Sequence, residues 1–225
     1  MSELLSFAAV SFSAIFFVVD PIAIIPAFIA MTSADTEGKK RAMAKKAAIA
    51  TTVTLLVFSL AGSIIFQVFG ITLGAFKIAG GVLLFLVSLD MMKANASAVR
   101  VRPEEEEEGV HRDDIAIVPL TIPMLAGPGA IATTMVVTSN AAGRPLYIAL
   151  VAGVILITGA FTWAVLRSAL LIASRVGTTG LNVMTRVMGL LLAAVAVQFL
   201  VDGAADVWPQ IAQSAKSAAA VAAGR

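Results

Sequence analysis

Apolar residues in this chain gather in six long blocks, at residues 4–34, 47–69, 71–92, 115–139, 146–166 and 181–203, separated by short polar stretches. A helix crosses the hydrocarbon of a bilayer in about 20 residues, so each block is long enough for one crossing. The pattern predicts six transmembrane helices. Lys77, Asp90, Arg186 and Asp202 fall inside the third and sixth blocks, near ends where a long side chain reaches the interface. The first block does not read as a cleaved signal peptide, because Glu3 is acidic where a basic segment belongs and Asp20 interrupts the apolar run.

Two blocks depart from an ordinary span in the same way. The first holds 31 residues, about 46 Å as a straight helix against a slab of about 30 Å. Asp20-Pro21 and Pro26 lie near its middle, and an interior proline removes a backbone hydrogen bond at a cost of about 3 kcal/mol. In the fourth block Pro119, Pro123 and Pro128 fall within ten residues, with Gly127 and Gly129 flanking the last. Both spans are expected to break, and unpaired backbone is tolerated at membrane depth only where it faces protein or a water-filled cavity.

Sliding the chain against itself by 107 residues brings Pro21 onto Pro128 and Gly70 onto Gly177; a two-residue slip then brings Lys77 onto Arg186 and Gly80 onto Gly189. Each half holds three spans, an odd number, so the halves cross the membrane in opposite senses. Chance similarity between two Ala/Leu/Val-rich segments is the alternative. The expected architecture is an all-α membrane protein of two inverted three-helix repeats, with spans one and four broken at Pro/Gly. The repeats occupy residues 1–95 and 115–203, joined by a charged linker at 96–114 and followed by a tail at 204–225.

Composition sharpens this picture. Of the 225 residues 59% are apolar and 13% charged, about half the charge of an ordinary soluble domain. Loop 1–2 carries Lys39, Lys40, Arg41, Lys45 and Lys46, loop 3–4 carries Lys93, Arg100, Arg102 and Arg112, and Arg167 and Arg175 close span five. Those eleven face only Arg144, Lys216 and Arg225 on the other side, so the positive-inside rule predicts both termini outside. The glutamate run at 104–108 reads as a solvated loop. With no cysteine and a single histidine, His111, thiolate, zinc-thiolate and Ser/His chemistry have no raw material, and no phosphate-loop motif supports a primary pump. The chain is not expected to be an enzyme, nor to need a metal or cofactor.

The candidate chemistry lies at the two breaks. Asp20 is flanked by long uncharged stretches that put it near the bilayer centre. It reads either as the N-cap of a half-helix beginning at Pro21 or, facing the cavity, as the holder of a substrate ammonium or a transported proton. Gly127 occupies the matching place in the second half, so the half-helix starting at Pro128 has no acidic cap. The amides near Gly129 and Ala130, with Thr133 and Thr134 one turn on, could receive a ligand carboxylate. The alternative is that the glycines only permit close packing and the threonines bond back to their own helix. One acidic group and one vacant helix N-terminus suit a small zwitterion. Gln198 reads as an interhelical hydrogen bond or a substrate contact, Lys77 and Arg186 as snorkelling or paired with Asp90 or Asp202, and Gly62, Gly80, Gly81, Gly153 and Gly159 as points of close helix approach.

Asp20-Pro21 with Pro26, the run Ile117-Val118-Pro119-Leu120-Thr121-Ile122-Pro123 leading into Ala126-Gly127-Pro128-Gly129, and Arg186-Val187-Met188-Gly189-Leu190 with Gln198 and Asp202-Gly203 resemble the MarC family of integral membrane proteins. The resemblance covers residues 4–203. It implies a multi-pass protein of a bacterial or archaeal cell membrane and, through relatives related to SnatA, a transporter of small neutral amino acids such as glycine and alanine. Carried onto this chain, the presumed substrate site comprises Asp20, Pro21, Pro26, Thr121, Gly127, Gly129, Ala130, Thr133, Thr134 and Gln198. Ala23 and Ile24 stand where many relatives have Gly and Asn. The partners implied are an amino acid, the bilayer and a proton or sodium gradient, with a homo-oligomer open and nucleic acid excluded; a non-transporting membrane scaffold is the competing reading.

Overall fold

The computed structural model describes residues 2–93, 114–141 and 143–223; the glutamate run, His111 and nearly all of the charged linker lie outside them. The described residues form helices α1 (Ser2–Val19), α2 (Ile25–Met31), α3 (Glu37–Phe69), α4 (Leu73–Met92), α5 (Ala116–Leu125), α6 (Pro128–Asn140), α7 (Pro145–Arg167) and α8 (Ala169–Ala223). Four segments are long and apolar enough to cross a membrane: Glu37–Gly62, Leu73–Met92, Pro145–Arg167 and Thr179–Pro209. A fifth results if α5 and α6, which meet at 60°, are taken as one bent span. The protein is an all-helical, multi-pass membrane protein, and many of its large apolar side chains, such as Leu60, Val68 and Leu190, point outward as lipid requires.

Local chemistry sets the ends. Thr36 and Thr72 cap α3 and α4 by accepting from the amides of Lys39 and Ala75. Gly70 ends α3 in the left-handed region at φ 63°, and Gly177 interrupts α8 at φ 68°, conformations that a Cβ disfavours. The second span was expected from residue 47, yet its helix begins ten residues earlier at Glu37, because the Thr36 cap and the i,i+4 pair Lys39–Asp35 (2.7 Å) support a charged first turn outside the apolar block.

α4 runs antiparallel along α8, α3 packs against α7, and α1 meets α6 and α7. The α4–α8 seam is tight because small residues line it: a Cβ on Gly74 would meet Val207 Cγ2 at 2.6 Å, and one on Gly189 would meet Met91 Cβ at 2.9 Å. Gly62, Gly80, Gly81 and Gly159 also sit at close approaches. Gly153 does not: nothing lies within 4 Å of its would-be Cβ, so its expected packing role fails.

Ion pairs tie helix ends together. Glu3 meets Arg144 at 3.5 Å, joining the starts of α1 and α7. Lys46 meets Asp114 at 2.5 Å, joining α3 to the segment entering α5. Lys77 was expected to snorkel or to pair with Asp90 or Asp202; instead its largely buried ammonium donates to Asp206 Oδ2 at 2.7 Å. Asp206 is reachable because α8 continues helically past residue 203, the expected end of the sixth span. Arg186 is exposed.

Candidate functional site: a cavity at an uncapped helix start

The prolines of the fourth block act as expected, and the manner of the break is specific. Across α5 the backbone closes wide i→i−5 turns, Leu120 to Ile115 at 3.1 Å and Ala126 to Thr121 at 2.8 Å, around Pro119 and Pro123, which cannot donate. Val118 and Ile122 adopt extended angles, and the peptide bonds following them are cis. The Thr121 hydroxyl is occupied: it donates to Ala116 O at 2.7 Å and lies 3.2 Å from Ala47 O on α3. Thr121 therefore holds the wide turn against α3.

α6 then starts afresh. Gly127 is its N-cap in extended conformation, Pro128 opens its first turn, and no side chain caps it. Pro123 O lies so close to the Cβ position of Gly127 that only glycine fits. This first turn opens onto a cavity of about 60 Å³ lined by Pro123, Gly127, Pro128, Gly129 and Ala130 and walled by Val18 of α1, Leu84 and Val87 of α4 and Leu192 of α8. A single water needs about 10–15 Å³ measured this way, so several heavy atoms fit. Leu84 is eleven residues from the start of α4 and eight from its end, which sets the cavity near mid-length of that helix. The side-chain walls are apolar, and the polar groups offered are the backbone amides of a helix N-terminus with its partial positive charge.

Of the expected site residues, Gly127, Gly129 and Ala130 line this cavity. Thr134 bonds back to Ala130 O at 2.8 Å, the packing alternative, whereas the buried Thr133 hydroxyl has no hydrogen-bond partner among the described residues. Neither lines the cavity. Gln198 is exposed and donates to Asp202 on its own helix at 2.7 Å, so it makes neither the interhelical bond nor the cavity contact expected of it.

The first break differs from its expected form. Asp20 does cap a turn, accepting from Ala23 N at 3.3 Å, but residues 21–24 form turns and α2 begins only at Ile25, with the exposed Pro26 in its first turn. The reason is Asp20's own backbone: at φ 45° it ends α1 in the left-handed region, which Asp tolerates better than most residues. Depth differs as well. α1 has 18 residues, a rise of about 27 Å. Its ring contacts with α7, Phe7–Tyr147 at 4.9 Å and Phe16–Phe161 at 5.0 Å, run parallel toward Arg167. Asp20, one turn past Phe16, therefore stands near the level of Arg167 and away from mid-span. Asp20 and Pro21 are buried and do not line the cavity; α1 reaches it through Val18.

Leu84, Val87, Leu192 and Val18 carry no sequence mark that separates them from dozens of other apolar span residues. Asp206 was hidden by its assignment to the tail. At the charged end, Asp114 accepts from Lys46 and from Ala116 N at 3.0 Å, and the Lys46 ammonium first, then that amide, holds its carboxyl below the usual value.

An interrupted helical bundle with apolar outward faces and a helix start opening on a cavity defines a polytopic integral membrane protein. The chain belongs to the MarC family of integral membrane proteins, whose description it matches over residues 5–208. It is 39% identical over 199 residues to the UPF0056 membrane protein MJ1677 of Methanocaldococcus jannaschii, covering 88% of this chain and 96% of that one. It is 35% identical over 205 residues to the UPF0056 membrane protein YvbG of Bacillus subtilis, with 91% and 97% covered. To the UPF0056 membrane protein YhcE of Escherichia coli it is 33% identical over 201 residues, with 88% and 92% covered. No solved structure matches it.

Proposed function

We propose that this protein is a secondary transporter of small neutral amino acids, glycine and alanine among them, working by alternating access. The observation that carries the reading is the uncapped N-terminus of α6 opening on a cavity of about 60 Å³. In this reading the substrate carboxylate accepts from the amides of the first α6 turn, where the helix dipole favours negative charge. The apolar walls leave room for a hydrogen or methyl side chain and little more. Asp20, fully buried two residues beyond the Val18 that walls the cavity, supplies the coupling or ammonium-balancing charge in this reading. Proton or sodium coupling fits a buried carboxylate.

The reading includes six spans in two inverted repeats, with α1–α2 as the first span. Three lines support it. Counterpart helices pair (α3 with α7, α4 with α8), and the aligned glycines Gly70 and Gly177 both have positive φ, Gly70 at the end of α3 and Gly177 at the kink within α8. The ion pairs Glu3–Arg144, Lys46–Asp114 and Lys77–Asp206 each join segments that six crossings put on one side. The charge asymmetry then sets the Lys46 side inward and both termini outward. Uptake of radiolabelled glycine and alanine into proteoliposomes, with and without an imposed pH gradient, tests the function: saturable uptake is expected, and a protein that moves neither is a scaffold.

A further inference from the structure

A larger hollow lies away from the α6 cavity. An open groove of about 660 Å³ runs between α3 and α7, its walls formed by Ile49, Val53 and Leu56 on one side and Leu156 and Ala160 on the other. Its floor is where the helices touch, since a Cβ on Gly159 would run into the Thr52 hydroxyl. Lys45 and Trp163 stand at one end, Leu56 and Leu156 at the other. From Lys45 to Leu56 is eleven residues, a rise of about 16 Å, which is the hydrocarbon depth of one leaflet of a slab about 30 Å thick.

That end is basic. Lys45 and Arg41, one turn apart on α3, are exposed and enter no ion pair among the described residues. Arg167, one turn beyond Trp163, lies over its ring with the guanidinium carbon 5.2 Å from the centroid. Arg41 and Arg167 share a second, smaller hollow of about 40 Å³ with Lys40, which is engaged by Glu37 at 3.4 Å.

We propose that the α3–α7 groove binds an anionic phospholipid, one acyl chain lying along Ile49, Val53 and Leu156 and the phosphate meeting Lys45, Arg41 and Arg167. An apolar trough of single-leaflet depth, ending on cations that enter no ion pair among the described residues, is complementary to such a lipid at both ends, and Trp163 sits at the head-group level that indoles prefer. A second copy of the chain is disfavoured as the occupant, because a two-fold contact through this groove brings the same cations of both copies together. The inference is independent of the transport reading.

Trp163 is a built-in probe once the other tryptophan is removed by Trp208→Phe. The full-length protein in vesicles is titrated with brominated phosphatidylglycerol or brominated phosphatidylcholine, and Trp163 quenching is read. Half-quenching is expected at a mole fraction of phosphatidylglycerol lower by about fivefold or more, from a contribution near 1 kcal/mol for each basic residue at an anionic head group. The preference is expected to shrink in high salt and to vanish in Lys45→Gln/Arg167→Gln; should that double variant not fold, Lys45→Gln alone and the salt series in the parent give the same reading. Ala160→Phe, which fills the trough from an exposed position, is expected to weaken quenching by both lipids. Equal quenching by the two lipids in the parent overturns the proposal, as does quenching by neither; in the latter case a cross-linked dimer identifies the occupant as a second copy.

Discussion

Leu84 leans over the first turn of α6, its Cδ2 2.6 Å from where a Cβ on Gly129 would stand, with Val18 Cγ1 3.7 Å from the same point. The clash is with the free end of a flexible side chain, so it resolves by rotation of Leu84, which itself lines the cavity. Gly129→Ala is therefore expected to retain the fold, at about 1–3 kcal/mol of overpacking, and to lose most glycine uptake by narrowing the space before the α6 amides. Gly129→Leu is expected to abolish it. Gly129→Ala/Leu84→Ala should recover binding that Gly129→Ala loses. Normal uptake by Gly129→Leu, at matched expression, removes the carboxylate from that helix start.

Lys77 and Asp206 are unequally buried, the Lys77 side chain 9% exposed and the Asp206 side chain 44%. Removing the outer partner leaves an ammonium buried between helices, whereas removing the inner one leaves a carboxylate that water or a head group reaches. Asp206→Ala is expected to cost about 2 kcal/mol, below the 3–5 kcal/mol of a fully buried pair, and Lys77→Met distinctly less. Thermal unfolding in detergent measures both. The reverse order would mean that the pair is not what holds the start of α4 to α8.

Proline spacing made the break in the fourth apolar block and the uncapped helix start at Pro128 legible in sequence, because proline's missing donor and glycine's missing cap act locally. Asp20 was legible as a cap and a break, but not its level: the apolar run placed it by its midpoint, while α1 continues unbroken to Val19 and carries Asp20 toward the Arg167 end. Gln198 illustrates the limit in another way, since a lone amide in an apolar block has a satisfactory partner four residues on in Asp202, and nothing local says which face of the helix looks inward. The Lys77–Asp206 pair and the leucines of the cavity wall are long-range facts of packing that no spacing encodes.

The eleven-to-three distribution of basic residues outside the spans predicts that a reporter fused after Arg225 scores as external. A reporter in the loop after Phe69 should score on that same external side, and one placed at Gly38 on the opposite side. A cytoplasmic score for the C-terminal fusion, with the protein intact, excludes six spans in the proposed orientation.

Asp114 gives a pH prediction at the charged end. Its carboxyl is held below the ordinary 3.8 chiefly by the Lys46 hydrogen bond, so the pair stabilises the fold fully above that value, and the contribution is lost as pH falls through the depressed one. The pair is half-exposed, and its worth is on the order of 0–1 kcal/mol. Asp114→Asn is expected to lower the unfolding temperature slightly at neutral pH, with the gap to wild type narrowing below about pH 4. An amide oxygen still accepts from Ala116 N, so a gap independent of pH would show that the charge interaction with Lys46 is not its source.

Asp20 offers the sharpest separation of a structural role from a working charge. Its backbone sits at φ 45° and its carboxylate accepts from Ala23 N. Asparagine tolerates the left-handed region and ranks about level with aspartate as a cap, so Asp20→Asn keeps both features and should shift stability by no more than a few tenths of a kcal/mol. Asp20→Ala loses the cap and strains the backbone, and should cost roughly 1–3 kcal/mol. If the carboxylate carries the coupling proton or balances a substrate ammonium, the two variants part company with their stabilities: Asp20→Asn loses pH-gradient-driven accumulation of glycine while remaining folded, and exchange of labelled for unlabelled substrate survives only if the charge serves the proton alone. Glutamate at this position restores the charge but is a poorer cap, so Asp20→Glu is expected to be less stable yet partly coupled. Measuring gradient-driven uptake and unfolding temperature together for the Asn, Glu and Ala variants decides the matter, and full coupled transport by Asp20→Asn would reduce this residue to the device that ends α1.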